Sequence, residues 1–124
     1  MRYVLLVFGV LFGACSSDPG AVTIAGQWGG VNAQMQATSG VTTFQFKCGA
    51  TGVLGMPLRL DAQGHFDEAG TYDPVLVTGG TRAAEFSGEV HGAELSVSVA
   101  VDQTVLGPYD LTKDQPARFD PCNF

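Results

Sequence analysis

Positive charge is scarce in this sequence, with six Lys and Arg against 12 Asp and Glu in 124 residues. Five of the bases (Lys47, Arg59, Arg82, Lys113 and Arg118) fall past residue 14 and nowhere cluster, which leaves that part of the chain a formal charge of −7. Nucleic acid and anionic lipid both demand a cationic patch, so neither is expected as a partner of the folded region. Histidine is rarer still. His65 and His91 each stand beside a glycine at a predicted turn, and no further His or Cys lies at ligand spacing, so no metal and no cofactor are expected. Gly-x-Ser-x-Gly elbows and Lys-bearing phosphate loops are missing, and no catalytic residues are assigned. The acidic run Asp61, Asp67, Glu68 and Asp73 lacks the alternating oxygen ligands of a calcium loop and reads as a solvated hairpin. Helical spacing is missing as well, and no apolar run reaches the roughly 20 residues a spanning helix needs.

What remains is two-residue alternation, punctuated by 17 glycines. Ala25–Cys48 organises the rest: Val31, Ala33, Met35 and Ala37 alternate with Asn32, Gln34 and Gln36. After a turn at Thr38-Ser39-Gly40, Thr42, Phe44, Phe46 and Cys48 share the opposite strand's inner face. Gly49–Gly52 reads as a glycine-rich corner, and Pro57 marks Met56–Leu60 as an edge strand because proline cannot donate to a ladder. Asp61-Ala62-Gln63-Gly64 has the type I signature of a bulged hairpin. Strands are then expected over His65–Tyr72, Arg82–Val90 (Ala84, Phe86, Gly88 and Val90 inward), Leu95–Val101 and Val105–Leu111. A tight turn is expected at His91-Gly92, and a last short strand should end at Cys122. This predicts an all-β fold of about eight short antiparallel strands, an up-and-down barrel or sandwich whose closure removes exposed edges.

The front end reads as export machinery. Met1–Ala14 pairs one base with an apolar run of secretory length, and Phe12-Gly13-Ala14-Cys15 resembles a bacterial lipobox. That resemblance implies a signal peptide over 1–14, palmitate-type acylation of Cys15, a tether through residue 24 and a single domain over 25–124. An ordinary signal peptide with Cys15 incidental is the alternative. Ser16 after the cysteine resembles the outer-membrane sorting preference of enteric-type lipoproteins. Cys48 and Cys122 then form an even pair in an oxidising compartment, so one disulfide is expected. In a closed eight-strand barrel the second and last strands lie about 9–10 Å apart. A disulfide prefers Cα atoms about 4.4–6.8 Å apart, so the bridge calls for an irregular tail, as Asp120-Pro121-Cys122 suggests.

Gly26-Gln27-Trp28, opening a meander, resembles the Gly-x-Trp start of the calycin superfamily of lipocalins, avidins and bacterial metalloprotease inhibitors. In lipocalins an arginine from the last strand covers that tryptophan, a place the resemblance would give to Arg118 here. Trp28-Gly29-Gly30, Cys48-Gly49, Pro57-Leu58, Asp61–Phe66, Gly70-Thr71-Tyr72, Leu106-Gly107 and Cys122 resemble small secreted or lipid-anchored bacterial domains, which implies a shared fold and a disulfide. Trp28, Phe44, Phe46, Phe66, Tyr72, Phe86 and Tyr109 either line a ligand cup or fill the core, and at this size filling is the expectation. The functional expectation is a non-enzymatic binding or structural barrel moored to the outer membrane, with a small apolar ligand or an envelope protein as partner. The alternative is a periplasmic inhibitor of a secreted peptidase, which would act through a free N-terminal segment. A hydrolase is the third reading.

Overall fold

A computed structural model describes residues 22–74 and 80–122, and about two thirds of them belong to strands. Ten strands follow in order: β1 Val22–Ile24, β2 Gly26–Gly30, β3 Ala33–Ala37, β4 Thr42–Phe46, β5 Thr51–Leu54, β6 Leu58–Leu60, β7 His65–Asp73, β8 Arg82–His91, β9 Glu94–Val101 and β10 Thr104–Lys113. Eight close into an antiparallel barrel, β2-β3-β4-β5-β7-β8-β9-β10, with β10 returning to β2 through Leu111↔Gly30 and Lys113↔Trp28. The other two, β1 and β6, pair as a separate ribbon (Val22↔Leu60, Ile24↔Leu58). The barrel prediction therefore holds, and the sandwich alternative falls away.

Alternation explains the interior. Met35, Phe44, Leu54, Phe66, Phe86 and the run Leu95, Val97, Val99, Val101 are buried and face one another across the barrel. Fully burying one such side chain is worth roughly 1.5–3 kcal/mol. Phe44 stacks on Phe46 at 5.9 Å and on Phe86 at 5.0 Å, joining strands from opposite walls. At the lower end, Leu58 and Leu60 of the ribbon are buried against this core, and the Thr42 hydroxyl donates to the Met56 carbonyl at 3.1 Å. In β10 the register slips between Val97↔Tyr109 and Val99↔Leu106, at Gly107-Pro108. That bulge lets Leu106 and Tyr109, an odd number of residues apart, both pack on the core.

Several local expectations need correction. The strand expected over Val31–Ala37 begins only at Ala33: Val31 and Asn32 link β2 to β3, and Asn32, at φ 66°, turns the chain, a conformation asparagine tolerates. Gly49–Gly52 is not wholly a corner, since Thr51–Leu54 is β5 and Gly52 lies inside it because a Cβ would stand 2.8 Å from the Phe86 ring. Cys48 leaves the inner face of β4 for a one-turn 3₁₀ segment over Lys47–Gly49. The β8–β9 turn residues are Gly92-Ala93, one later than expected. Val22–Ile24, expected within the tether, forms β1.

The expected last strand is instead a strap. Beyond Lys113 the chain climbs the outer face of β2, with Asp114 N–H donating to Gln27 O, Arg118 N–H to Gly30 O, and Asn32 N–H to Arg118 O. Gly29 faces it, and a Cβ there would stand 2.3 Å from the Gln115 carbonyl oxygen. Asp120 and Asn32 then lock the strap twice, Asp120 N–H to Asn32 Oδ1 at 2.8 Å and Asn32 Nδ2–H to Asp120 Oδ2 at 3.1 Å. The strap ends in the Cys48–Cys122 disulfide, with Cα atoms 5.6 Å apart across 74 residues of sequence.

Candidate functional site

The strap creates a cleft at the upper end of the barrel. Gln45 and Thr51, cross-strand neighbours on β4 and β5, form its floor; Gly49-Ala50 and Phe119 form its sides, with the disulfide beside them. It holds about 380 Å³, within the range of small-ligand clefts. Phe119 is 41 % exposed, unusual for a phenylalanine, and its ring borders the cleft rather than the core. The Phe46 N–H donates to Ala50 O at 2.8 Å, which fixes the loop over which the strap is bolted.

Below the cleft spreads the outer wall of β2–β5. Its lower row runs Gln27, Gln36, Thr43, Val53 across the four strands, and its upper row runs Gln34, Gln45, Thr51 beside the strap. Ladder geometry places these side chains about 4.8 Å apart across strands. Four of the chain's seven glutamines stand here, and no residue of either row ionises.

The opposite wall, β7–β10, is charged. Its outward residues include Asp67, Glu85, Glu89 and Glu94, with Ser87, Ser96 and Ser98 between them. Glu85 and Asp67 share a hydrogen bond, and that contact and their mutual repulsion raise the Glu85 carboxyl above its usual range. His65 and His91, which nothing in the sequence placed together, meet across one carboxylate: each Nε2 lies 3.2 Å from Glu89 Oε1. Cross-strand pairing His65↔Glu89 and the two-residue step from Glu89 to His91 bring them there. The His91 contact first, then that of His65, holds the Glu89 carboxyl below its ordinary range. Among the described residues no group of three or more donors is arranged to hold a metal ion.

The seven aromatics divide. Trp28, Phe44, Phe46, Phe66 and Phe86 are buried, and Trp28 Nε1–H donates to Ala25 O at 3.3 Å. Tyr72 and Tyr109 stay half-buried on the upper rim, 5.8 and 5.2 Å from the Phe46 ring. Burial raises both phenols, and for Tyr72 the neighbouring Tyr109 adds to it. Arg118 contributes its backbone to the strap, while its guanidinium is 73 % exposed beside Asp120. The acidic run scatters: Asp61 accepts from the N–H groups of Gln63 and His65 within its own turn, which lowers its carboxyl. Cys15 and the segment ahead of Val22 lie outside the described residues. Sequence reasoning missed the cleft because its parts, Gln45, Thr51 and Phe119, are brought together only by the strap. Compared with family models, curated proteins and solved structures, the chain matches none of them.

Proposed function

We propose that this chain is a lipid-anchored protein of the bacterial outer membrane whose barrel is a non-enzymatic binding domain, presenting the upper cleft and the β2–β5 wall to a partner. One observation carries the reading: β1 and the cleft lie at opposite ends of the barrel. β1, the first described strand, belongs to the lower ribbon against Leu58 and Leu60, whereas Gln45, Thr51 and Phe119 lie at the other end of β4 and β5. Acylation at Cys15 leaves six residues between it and Val22, a span of roughly 25 Å at full extension, so the lower end faces the bilayer and the cleft faces away. Two or more acyl chains on one cysteine suffice for stable anchoring. The packed interior, with Phe44 and Phe86 stacked across it, favours a partner on the surface over a small apolar ligand inside.

Labelled palmitate tests the reading. The wild-type chain is expected to take up label and partition with outer membranes, and Cys15→Ala to lose both. Incorporation that survives Cys15→Ala, or a wild-type chain recovered wholly in the soluble periplasm, defeats it.

A further inference from the structure

We propose that the cleft and the amide wall below it bind a neutral glycan strand. The inference rests on reading the barrel as a binding domain, and it names the partner's chemistry.

Three features converge on a hydroxyl-rich, uncharged partner. The first is the composition of the surface. Gln34 and Gln45 each offer a carbonyl acceptor and two N–H donors, and Thr51 offers a hydroxyl that does both. A sugar hydroxyl is likewise donor and acceptor at once, so amide and hydroxyl side chains match it where a lone carboxylate or ammonium satisfies one role only. The second is Phe119, whose ring is 41 % exposed at the border of the same cleft. The axial C–H face of a pyranose is apolar and packs on an aromatic face while its equatorial hydroxyls reach the flanking amides. The third is charge: the rows Gln27, Gln36, Thr43, Val53 and Gln34, Gln45, Thr51 carry none, and the one ionisable side chain lining the cleft, Asp120, already accepts from Asn32 Nδ2–H, although the chain beyond residue 14 has a net charge of −7. A partner steered by charge would find its complement elsewhere on this molecule.

The topology disfavours a peptide. Extended peptides commonly bind by adding a strand to a free sheet edge, and β2–β5 are each paired on both sides within the closed barrel. What this wall presents is side chains in a regular lattice, which suits a repeating polymer lying across it.

Chitohexaose and cellohexaose, both neutral, are the probes, titrated into the processed, acylated chain in detergent and followed by calorimetry and by the side-chain NH₂ signals of the glutamines. The expected result is saturable binding with shifts at Gln34 and Gln45, weakened at least about tenfold, or about 1.4 kcal/mol, by Phe119→Ala and again by Gln45→Ala. Glu85→Gln, on the opposite wall, should leave affinity unchanged. Two variants guard against misfolding, and an unchanged near-ultraviolet spectrum with the disulfide intact certifies each. The inference is overturned by absence of any amide shift, by equal affinity in Phe119→Ala and Gln45→Ala, or by preference for an alginate oligosaccharide or a peptide over both neutral probes. Such a failure with palmitate still on Cys15 removes the glycan and leaves the anchored binding domain; loss of the palmitate removes the anchored reading by itself.

Discussion

The two halves of the barrel solve the same problem differently. β7–β10 are long, eight to ten residues each, and the ladders joining them run almost their whole length. β2–β5 have only four or five residues each, so each ladder offers a handful of hydrogen bonds. The short half is reinforced from outside by the strap, its Asn32–Asp120 lock and the disulfide. Their surfaces differ in parallel: the long half wears carboxylates and serines, the short half amides and threonines. The contrast teaches that covalent and tertiary bracing can replace strand length, and that bracing builds a concave feature where a plain ladder builds a smooth wall.

The largest expected effect erases the contrast. Phe86→Ala removes a fully buried ring that packs on Phe44 across the barrel, and it should cost about 4–5 kcal/mol, read as a fall in the urea midpoint that both halves share. Next comes the double change Cys48→Ser with Cys122→Ser, worth about 4 kcal/mol for a loop of 74 residues in the chain-entropy model. Here the contrast should sharpen, with amide exchange protection falling first in β2–β5 while β8–β9 hold. Uniform loss across the barrel would show that the short half does not depend on its brace.

Reading back from these tests to the sequence, the long half was legible because its strands obey their own periodicity. Leu95, Val97, Val99 and Val101 all turn inward as alternation requires, and Ala84 and Phe86 do the same. The short half was harder. Alternation ran unbroken past Val31-Asn32, since Asn32 makes a turn without glycine or proline to announce it. β5 hid behind Gly52, whose lack of a side chain is a packing demand from Phe86 and not a signal to turn. The need for an irregular tail to reach Cys48 was foreseeable from spacing alone, but its course over Gly29 was not. The meeting of His65 and His91 at Glu89 follows from the β7–β8 register, which no local pattern reveals.

Smaller perturbations probe the strap. Gly29→Ala places a methyl 2.3 Å from Gln115 O and 2.8 Å from Ala117 N, so the strap must lift, at about 1–3 kcal/mol in thermal unfolding. Asn32→Gly keeps the positive-φ turn and deletes both bonds to Asp120, at about 1 kcal/mol. A shift larger than that of Gly29→Ala would reverse this ranking.

The smallest effect separates the walls by pH. Glu89 and Asp61 have carboxyls lowered by their partners, so they stabilise the fold above the ordinary carboxylate range and lose that contribution as pH falls through it. Glu85 acts oppositely: its raised carboxyl favours the fold at lower pH, where it stays protonated against Asp67, and that preference fades as pH rises. All three groups are exposed, so the changes are slight. Amide shifts between pH 6 and pH 3, a window set by ordinary carboxylate titration, should cluster on β7 and β8 and spare Gln34, Gln36 and Thr43. Movement of the amide wall over the same range would mean the walls are coupled.

The disulfide also decides how the molecule carries a pull. A tension applied between Val22 and Phe119 has a short covalent route, from the strap through Cys122 and Cys48 and back along β4, β3 and β2 to β1. Everything from Gly49 to Arg118 hangs as a slack loop beside that route. β5 and β7 to β10 therefore lie off the covalent route and are loaded only through their ladders, at β10–β2 and β5–β4, while β2 to β4 carry the pull directly.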